Sequence, residues 1–331
     1  MTMLDLATDR RQFMAALAAA AAMPSAVFGK GADGHPAIRA LVDRYVAERK
    51  VANVVVAVGG RSGPPDFIWA GQLEVGQGAA AGPDSLYRIY SMTKPITGCA
   101  IMMLVEAGKL TLDTPLGDIL PAYKQMTVLT DPKNSLDARP ATKPILVRHL
   151  LTHSAGFAYG STAPAPLAKL YEQKGVETVS VMADEAGRPR DLAGFATTAA
   201  SLPLLFEPGS RWNYSIGLDI AGAVVEKASG IPFDAFLDQR LFQPLGMKDT
   251  SFAAPADKLD RLTSLYQYTL TGLEMIDSGQ KSAFAQKPAV PSGGGGLVSS
   301  ARDYAQFMAM LLNEGRLGRA RILKPKTARL M

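Results

Sequence analysis

The chain has 331 residues, 47% of them hydrophobic and 20% charged, with 35 lysines and arginines against 30 aspartates and glutamates for a net charge of +5. That apolar content excludes an intrinsically disordered chain, and a single cysteine, Cys99, excludes a disulfide scaffold. So small a net charge, with no Lys/Arg block, speaks against nucleic acid as the main partner, and the length suffices for two ordinary domains or one large fold with an inserted lobe.

The N-terminus reads Thr8-Asp9-Arg10-Arg11-Gln12-Phe13-Met14 and continues as an alanine-rich apolar run to Phe28, interrupted by Pro24. The run is too short for a stable membrane span, which takes roughly 20 apolar residues. A charged start, an apolar middle and small residues at Ser25 and Ala26 make residues 1–29 an export signal. Its arginine pair resembles the bacterial twin-arginine type, which implies a periplasmic protein. An amphipathic N-terminal helix is the other reading, but all-alanine faces give no amphipathicity.

From Pro36 to Lys50, Ile38, Leu41, Val42, Tyr45 and Val46 recur at helical spacing. The β-branched run 51–58 follows, closed by Gly59 and Gly60, and Asp66–Ala70 returns as a second strand. Beyond Leu86 helical patterns dominate, over 92–108, 147–151, 192–202, 215–229, 233–241 and 300–314, joined by Pro/Gly-rich loops. Early strands followed by a long helical stretch make an α+β arrangement, not alternating βα units. The expected domains are a mixed α/β part from 30–80 and 297–331, whose antiparallel sheet is incomplete, and a mostly helical lobe over 81–296.

Several chemistries have no support. No G-x-S-x-G occurs, which removes the α/β-hydrolase nucleophile elbow. The G-x-G-x-x-G match at Gly29, Gly31 and Gly34 does not follow a strand, and the glycine run 293–296 lacks the Lys-Ser/Thr of a phosphate loop. His149 and His153 have the spacing of H-E-x-x-H, but Leu150 stands where the glutamate belongs. The pair reads better as hydrogen-bonding residues at a helix end. No metal and no cofactor is expected, and Cys99 reads as a packing residue.

The positive signal is Ser91-Met92-Thr93-Lys94. If a helix starts near Ser91, positions i and i+3 share a face and bring hydroxyl and amine together. A serine hydroxyl needs a base beside it to become a nucleophile, and lysine serves once an apolar setting favours its neutral form. Leu86, Ile89 and Tyr90 before the motif, and Ile96 to Met103 after it, supply that setting. By itself the spacing reads better as a helix cap with an exposed lysine, and it occurs again at Ser278-Gly279-Gln280-Lys281, in a polar stretch that reads as a solvated loop. Tyr87, Tyr90, Phe157, Tyr159 and Trp212 are aromatics for a core or for a substrate pocket.

Further segments accompany the first motif: Leu104-Val105-Glu106-Ala107-Gly108-Lys109-Leu110, His149-Leu150-Leu151-Thr152-His153-Ser154-Ala155-Gly156-Phe157, Pro208-Gly209 with Trp212-Asn213-Tyr214-Ser215, Gly246-Met247, and Gly293–Leu297. In this order, over residues 36–331, the chain resembles the serine β-lactamase and penicillin-binding-protein superfamily, specifically class C β-lactamases and family VIII carboxylesterases. The resemblance implies a β-lactamase-like fold with the site between a mixed α/β domain and a helical lobe. It implies that Ser91 is the acylated nucleophile, that Lys94 helps deprotonate it, and that Tyr214 is general base and proton shuttle.

Two departures bear on substrate. The tyrosine motif usually ends in asparagine in β-lactamases, whereas Ile216 stands here and cannot hydrogen-bond an antibiotic's acylamide side chain. This favours a small-molecule ester as substrate. The third family motif, K-T-G, W-G-G or H-x-G on a late strand, has no counterpart after Gly296. Strand and motif together lead to the expectation that the sequence stops short of a strand-rich C-terminal segment. The expected activity is ester hydrolysis through an acyl-enzyme. A β-lactamase or D-alanyl-D-alanine peptidase, and a non-catalytic penicillin-recognising protein, are the rival readings.

Overall fold

The computed structural model describes residues 34–176 and 188–331. The segment expected from sequence to be an export signal, with Arg10 and Arg11, lies outside the described residues, as do Gly29 and Gly31. In chain order the main elements are α1 (Pro36–Ala47), β1 (Asn53–Val58), β2 (Asp66–Glu74), β3 (Gln77–Ala80), β4 (Leu86–Arg88), α2 (Thr93–Glu106), β5 (Thr127–Leu129), β6 (Ala138–Pro140) and α3 (Val147–Leu151). There follow α4 (Ala165–Gln173), α5 (Leu192–Ala200), α6 (Gly217–Ser229), α7 (Phe233–Leu237), β7 (Leu265–Thr269), β8 (Gly272–Asp277), β9 (Val298–Ser300) and α8 (Ala301–Leu312). This is an α+β chain, and each helical pattern read beyond Leu86 holds a helix. Among the described residues no helix is long and apolar enough to cross a membrane.

Two compact units make up the chain, one from the described part of 1–85 with 261–280, the other from 86–260 with 281–331. In the smaller unit Pro36, with its φ already suited to a helix, opens α1, whose Ile38 and Val42 pack on Ile68 with Val54, Val56, Val58 and Ala70 around them. β1 and β2 run antiparallel from Asn53↔Gly71 to Val58↔Asp66, and β3 pairs with the far end of β2. Gly71 lies at φ +93, and a Cβ there would collide with the Ala52 carbonyl, so only glycine fits this crossing.

The larger unit holds the main core. α2 packs on α6, and Ile96, Ile101, Leu150, Ile220 and Val224 are fully buried between them and α3. Full burial of such a side chain stabilises by about 1.5–3 kcal/mol relative to exposure. The short ladder of β4 with β9, from Leu86↔Ser300 to Arg88↔Val298, lies immediately before α2 and α8. It continues through Ile89 N–H to the Leu297 carbonyl at 3.0 Å, which brings the glycine run 293–296 alongside Ser91.

The units divide the chain differently from the domains expected from sequence. Residues 297–331 belong with the helical unit, because β9 pairs with β4 and α8 buries Phe307 and Met310 in the main core. Residues 261–280 join the early strands instead. There β7 and β8 form a hairpin not anticipated from sequence, with Ser264 N–H donating to the Leu73 carbonyl and Val75 N–H to the Tyr266 hydroxyl. Its exposed Tyr268, Leu270, Met275 and Ile276 break the alternation that marks a half-buried strand.

Candidate active site

Ser91 leaves β4 through a sharp bend. Tyr90 takes φ +42, uncommon for a non-glycine residue, and opens a 3₁₀ turn over Tyr90–Met92 that runs straight into α2. Lys94 lies in the first turn of that helix, as the i, i+3 spacing predicts, with its Nζ 3.3 Å from Ser91 Oγ. Ser91 does not cap the helix, since the cap position is Met92 and no side chain caps it. Its hydroxyl is instead 2.6 Å from that of Tyr214. The three residues singled out in the sequence therefore converge on one point.

Tyr214 sits in an irregular strap before α6, pinned by its neighbours. Asn213 N–H donates to the His153 carbonyl at 2.9 Å, Asn213 Nδ2 to the Phe157 carbonyl at 3.0 Å, and the Thr162 hydroxyl to the Tyr214 carbonyl at 2.9 Å. The Lys94 ammonium stands 4.5 Å from the centre of the Tyr214 ring and 5.4 Å from that of Tyr159. A cation over an aromatic face is attracted by the ring quadrupole. The shorter of the two hydrogen bonds from Lys94 Nζ goes to the Gly294 carbonyl at 2.6 Å, a backbone partner that no side-chain motif announces.

The glycine run is a close-packed turn. A Cβ at Gly293 would collide with the Leu218 carbonyl, and one at Gly294 would lie 2.5 Å from Asp219 Oδ2 and 2.6 Å from the Tyr159 hydroxyl. Asp219 and Tyr159 thus reach the site from α6 and from the loop after α3. Among the other aromatics, Phe157 is core, whereas Trp212 is 68% exposed and 6.4 Å from Tyr214 between ring centres. The sequence signal for Asp219 is a carboxylate in the otherwise apolar stretch Gly217–Val225.

The histidine pair splits. His149 Nδ1 accepts the Leu146 N–H at 3.1 Å and so closes the start of α3. His153 packs on Tyr214 at 4.7 Å between ring centres, and its Nδ1 accepts the Ser215 N–H at 3.2 Å, which leaves the proton of the neutral ring on Nε2. Burial, and next the Lys94 charge, hold His153 down to about 4. Burial pushes the Cys99 thiol up to about 12.

Beside the buried helical core, a serine hydroxyl thus lies within hydrogen-bonding reach of a lysine amine and a tyrosine hydroxyl. The Beta-lactamase family model matches residues 38–331, and the chain belongs to that family. It is 34% identical over 266 residues to Protein Rv1367c of Mycobacterium tuberculosis, covering 79% of this chain and 62% of that one. It is 32% identical over 293 residues to Esterase EstB of Burkholderia gladioli, covering 83% of this chain and 70% of EstB. The chain thus spans less than two thirds of the mycobacterial relative's length. Among solved structures, EstCE1, described as a hydrolase with promiscuous acyltransferase activity, superposes with a TM-score of 0.75 at 28% identity, over 89% of this chain and 75% of EstCE1. The fold is β-lactamase-like.

Proposed function

We propose that this protein hydrolyses small-molecule carboxylic esters through an acyl-enzyme on Ser91. The observation that carries the reading is the convergence of Ser91 Oγ with Tyr214 Oη at 2.6 Å and Lys94 Nζ at 3.3 Å. In the first step Tyr214, entering as the phenolate that a neighbouring lysine cation favours, takes the Ser91 proton while Oγ attacks the ester carbonyl, and the Ser91 N–H, at the start of the turn into α2, is the donor for the developing oxyanion. Tyr214 then returns the proton to the departing alcohol. Water enters by the same path in reverse, Tyr214 taking its proton and Ser91 recovering its own. Lys94, held by the Gly294 carbonyl, stands beside both oxygens and helps Tyr214 draw the proton from Ser91.

Ile216 is fully buried and so meets no substrate; the likeness to an esterase is what supports esters over β-lactams. The alcohol that leaves defines a place that another alcohol can re-enter. The likeness to EstCE1 therefore supports acyl transfer as a second fate of the same intermediate. The test is purified protein with p-nitrophenyl butyrate and nitrocefin, followed by intact mass after a fluorophosphonate. Ester turnover with one label on Ser91 is expected, and nitrocefin turnover without ester turnover would overturn the reading. Periplasmic export is proposed from the sequence alone, and replacing Arg10 and Arg11 by lysines should retain the protein in the cytoplasmic fraction.

A further inference from the structure

Asp219 takes no part in the steps above, yet it is completely buried in the first turn of α6. A carboxylate is almost never fully buried unless partnered, and here each partner is a donor. Its Oδ1 accepts the Ser292 hydroxyl at 2.5 Å and the Gly294 N–H at 2.8 Å, while Oδ2 accepts the Tyr159 hydroxyl at 3.2 Å. The residue whose N–H it binds is the one whose carbonyl binds Lys94. A second anchor holds the neighbouring residue, Thr97 on α2 donating to the Gly293 carbonyl at 2.7 Å. The turn that receives Lys94 is therefore clamped from two helices.

Resting on the reading of Ser91, Lys94 and Tyr214 as the reacting group, we propose that Asp219 is a positioning residue, which through Gly294 fixes the carbonyl that aims Lys94 at Ser91. Lysine carries its charge on a flexible four-carbon stem and does not hold an aim unaided. The carboxylate and the Tyr159 hydroxyl fill the space that a side chain on residue 294 would take, so the turn has no room to slide while Asp219 is in place. Burial raises the Asp219 carboxyl above the ordinary aspartate range, and the bonds from Ser292 and Gly294 and the Lys94 charge pull it back. The acid thus senses the lysine across the glycine that joins them. Removing the acid frees the turn, and a displacement of about 1 Å at a reacting group is enough for a roughly 100-fold loss.

The experiment compares Asp219→Ala, Asp219→Asn and Ser292→Ala with the wild type. Its readout is the rate of Ser91 acylation per competent site, each preparation being titrated with a fluorophosphonate so that a lower folded fraction does not count. Asp219→Ala should lower kcat for p-nitrophenyl butyrate and the acylation rate together by roughly 10- to 100-fold, with KM within about two-fold. Asp219→Asn, which keeps an oxygen for the Gly294 N–H, should recover most of the rate, and Ser292→Ala should lose only a few-fold. An Asp219→Ala protein acylating within two-fold of wild type overturns the proposal. So does an Asp219→Asn protein that falls as far as the alanine variant, because charge rather than placement would then be at work. If the alanine variant does not fold, wild-type acylation in both Asp219→Asn and Ser292→Ala overturns it. Failure of the underlying reading shows separately, as a Ser91→Ala protein that still labels and turns over ester.

Discussion

The chain carries the same four-residue pattern twice, and the two copies fold into opposite surroundings. Ser91 and Lys94 lie on a turn that runs into a 14-residue helix buried in the main core, with Tyr214 and Gly294 reaching them from more than a hundred residues away. Ser278 and Lys281 lie at a short 3₁₀ turn, Gly279–Lys281, where Lys281 is exposed. There Gly279 donates its N–H to the Ser264 hydroxyl at 3.1 Å, and a Cβ would collide with the Leu262 carbonyl. Spacing alone therefore makes no site of a serine and a lysine. What separates the two copies is whether distant segments supply a second hydroxyl and a fixed acceptor for the amine.

The largest test of that contrast replaces each serine. Ser91→Ala should lower kcat for ester by roughly 10⁴- to 10⁶-fold and abolish fluorophosphonate labelling. Ser278→Ala should change neither, and equal losses in the two would break the comparison. Next in size is Tyr214→Phe, which keeps the ring beneath the Lys94 ammonium and removes only the hydroxyl 2.6 Å from Ser91. A fall in kcat of roughly 10²- to 10⁴-fold with KM nearly unchanged is expected, the range for a positioned proton carrier.

The glycines sharpen the contrast from the other side. Gly294→Ala pushes against Asp219 and Tyr159 and should cost activity per folded molecule. Gly279→Ala pushes against the Leu262 carbonyl and should cost stability instead, about 1–3 kcal/mol in urea unfolding, with kcat per folded molecule unchanged. A Gly279→Ala protein that is stable but slow would undo the assignment of that turn to packing.

Legibility in the sequence follows how far apart the partners are. Ser91 and Lys94 could be paired by helical spacing because one short stretch contains both. Tyr214 could be joined to them only by family resemblance, since nothing local in Trp212-Asn213-Tyr214-Ser215 points back 123 residues. The Gly294 carbonyl is backbone and leaves no side-chain trace beyond a glycine run that several turns would explain. Asp219 was hidden for a related reason. A lone acid in an apolar helix is legible as unusual, but its donors arrive from residues 159, 292 and 294. The same holds at the level of domains. The three-residue ladder of β4 with β9 is too short to show as periodicity, yet it assigns residues 297–331 to the helical unit.

His153 offers the smallest of these effects, and a test of how dry the first copy's surroundings are. Its ring packs on Tyr214 and lies 6.2 Å from Trp212 between ring centres, with Lys94 the charged group it senses most and Ser215 filling its Nδ1. In the folded protein it stays neutral down to about 4, whereas an unfolded histidine takes up its proton near 6.5. Between those values the unfolded chain binds more protons, so stability is full above about 6.5 and is lost as the pH falls toward 4. His153→Asn removes the titrating ring and suits the backbone, because residue 153 lies at φ +53, where asparagine is readily accommodated. The melting temperature of the wild type should drop between pH 7.5 and 4.5 more steeply than that of the variant. Parallel slopes would mean that the ring is as wet as Lys281, and that the first copy owes its difference from the second to hydrogen-bond partners alone.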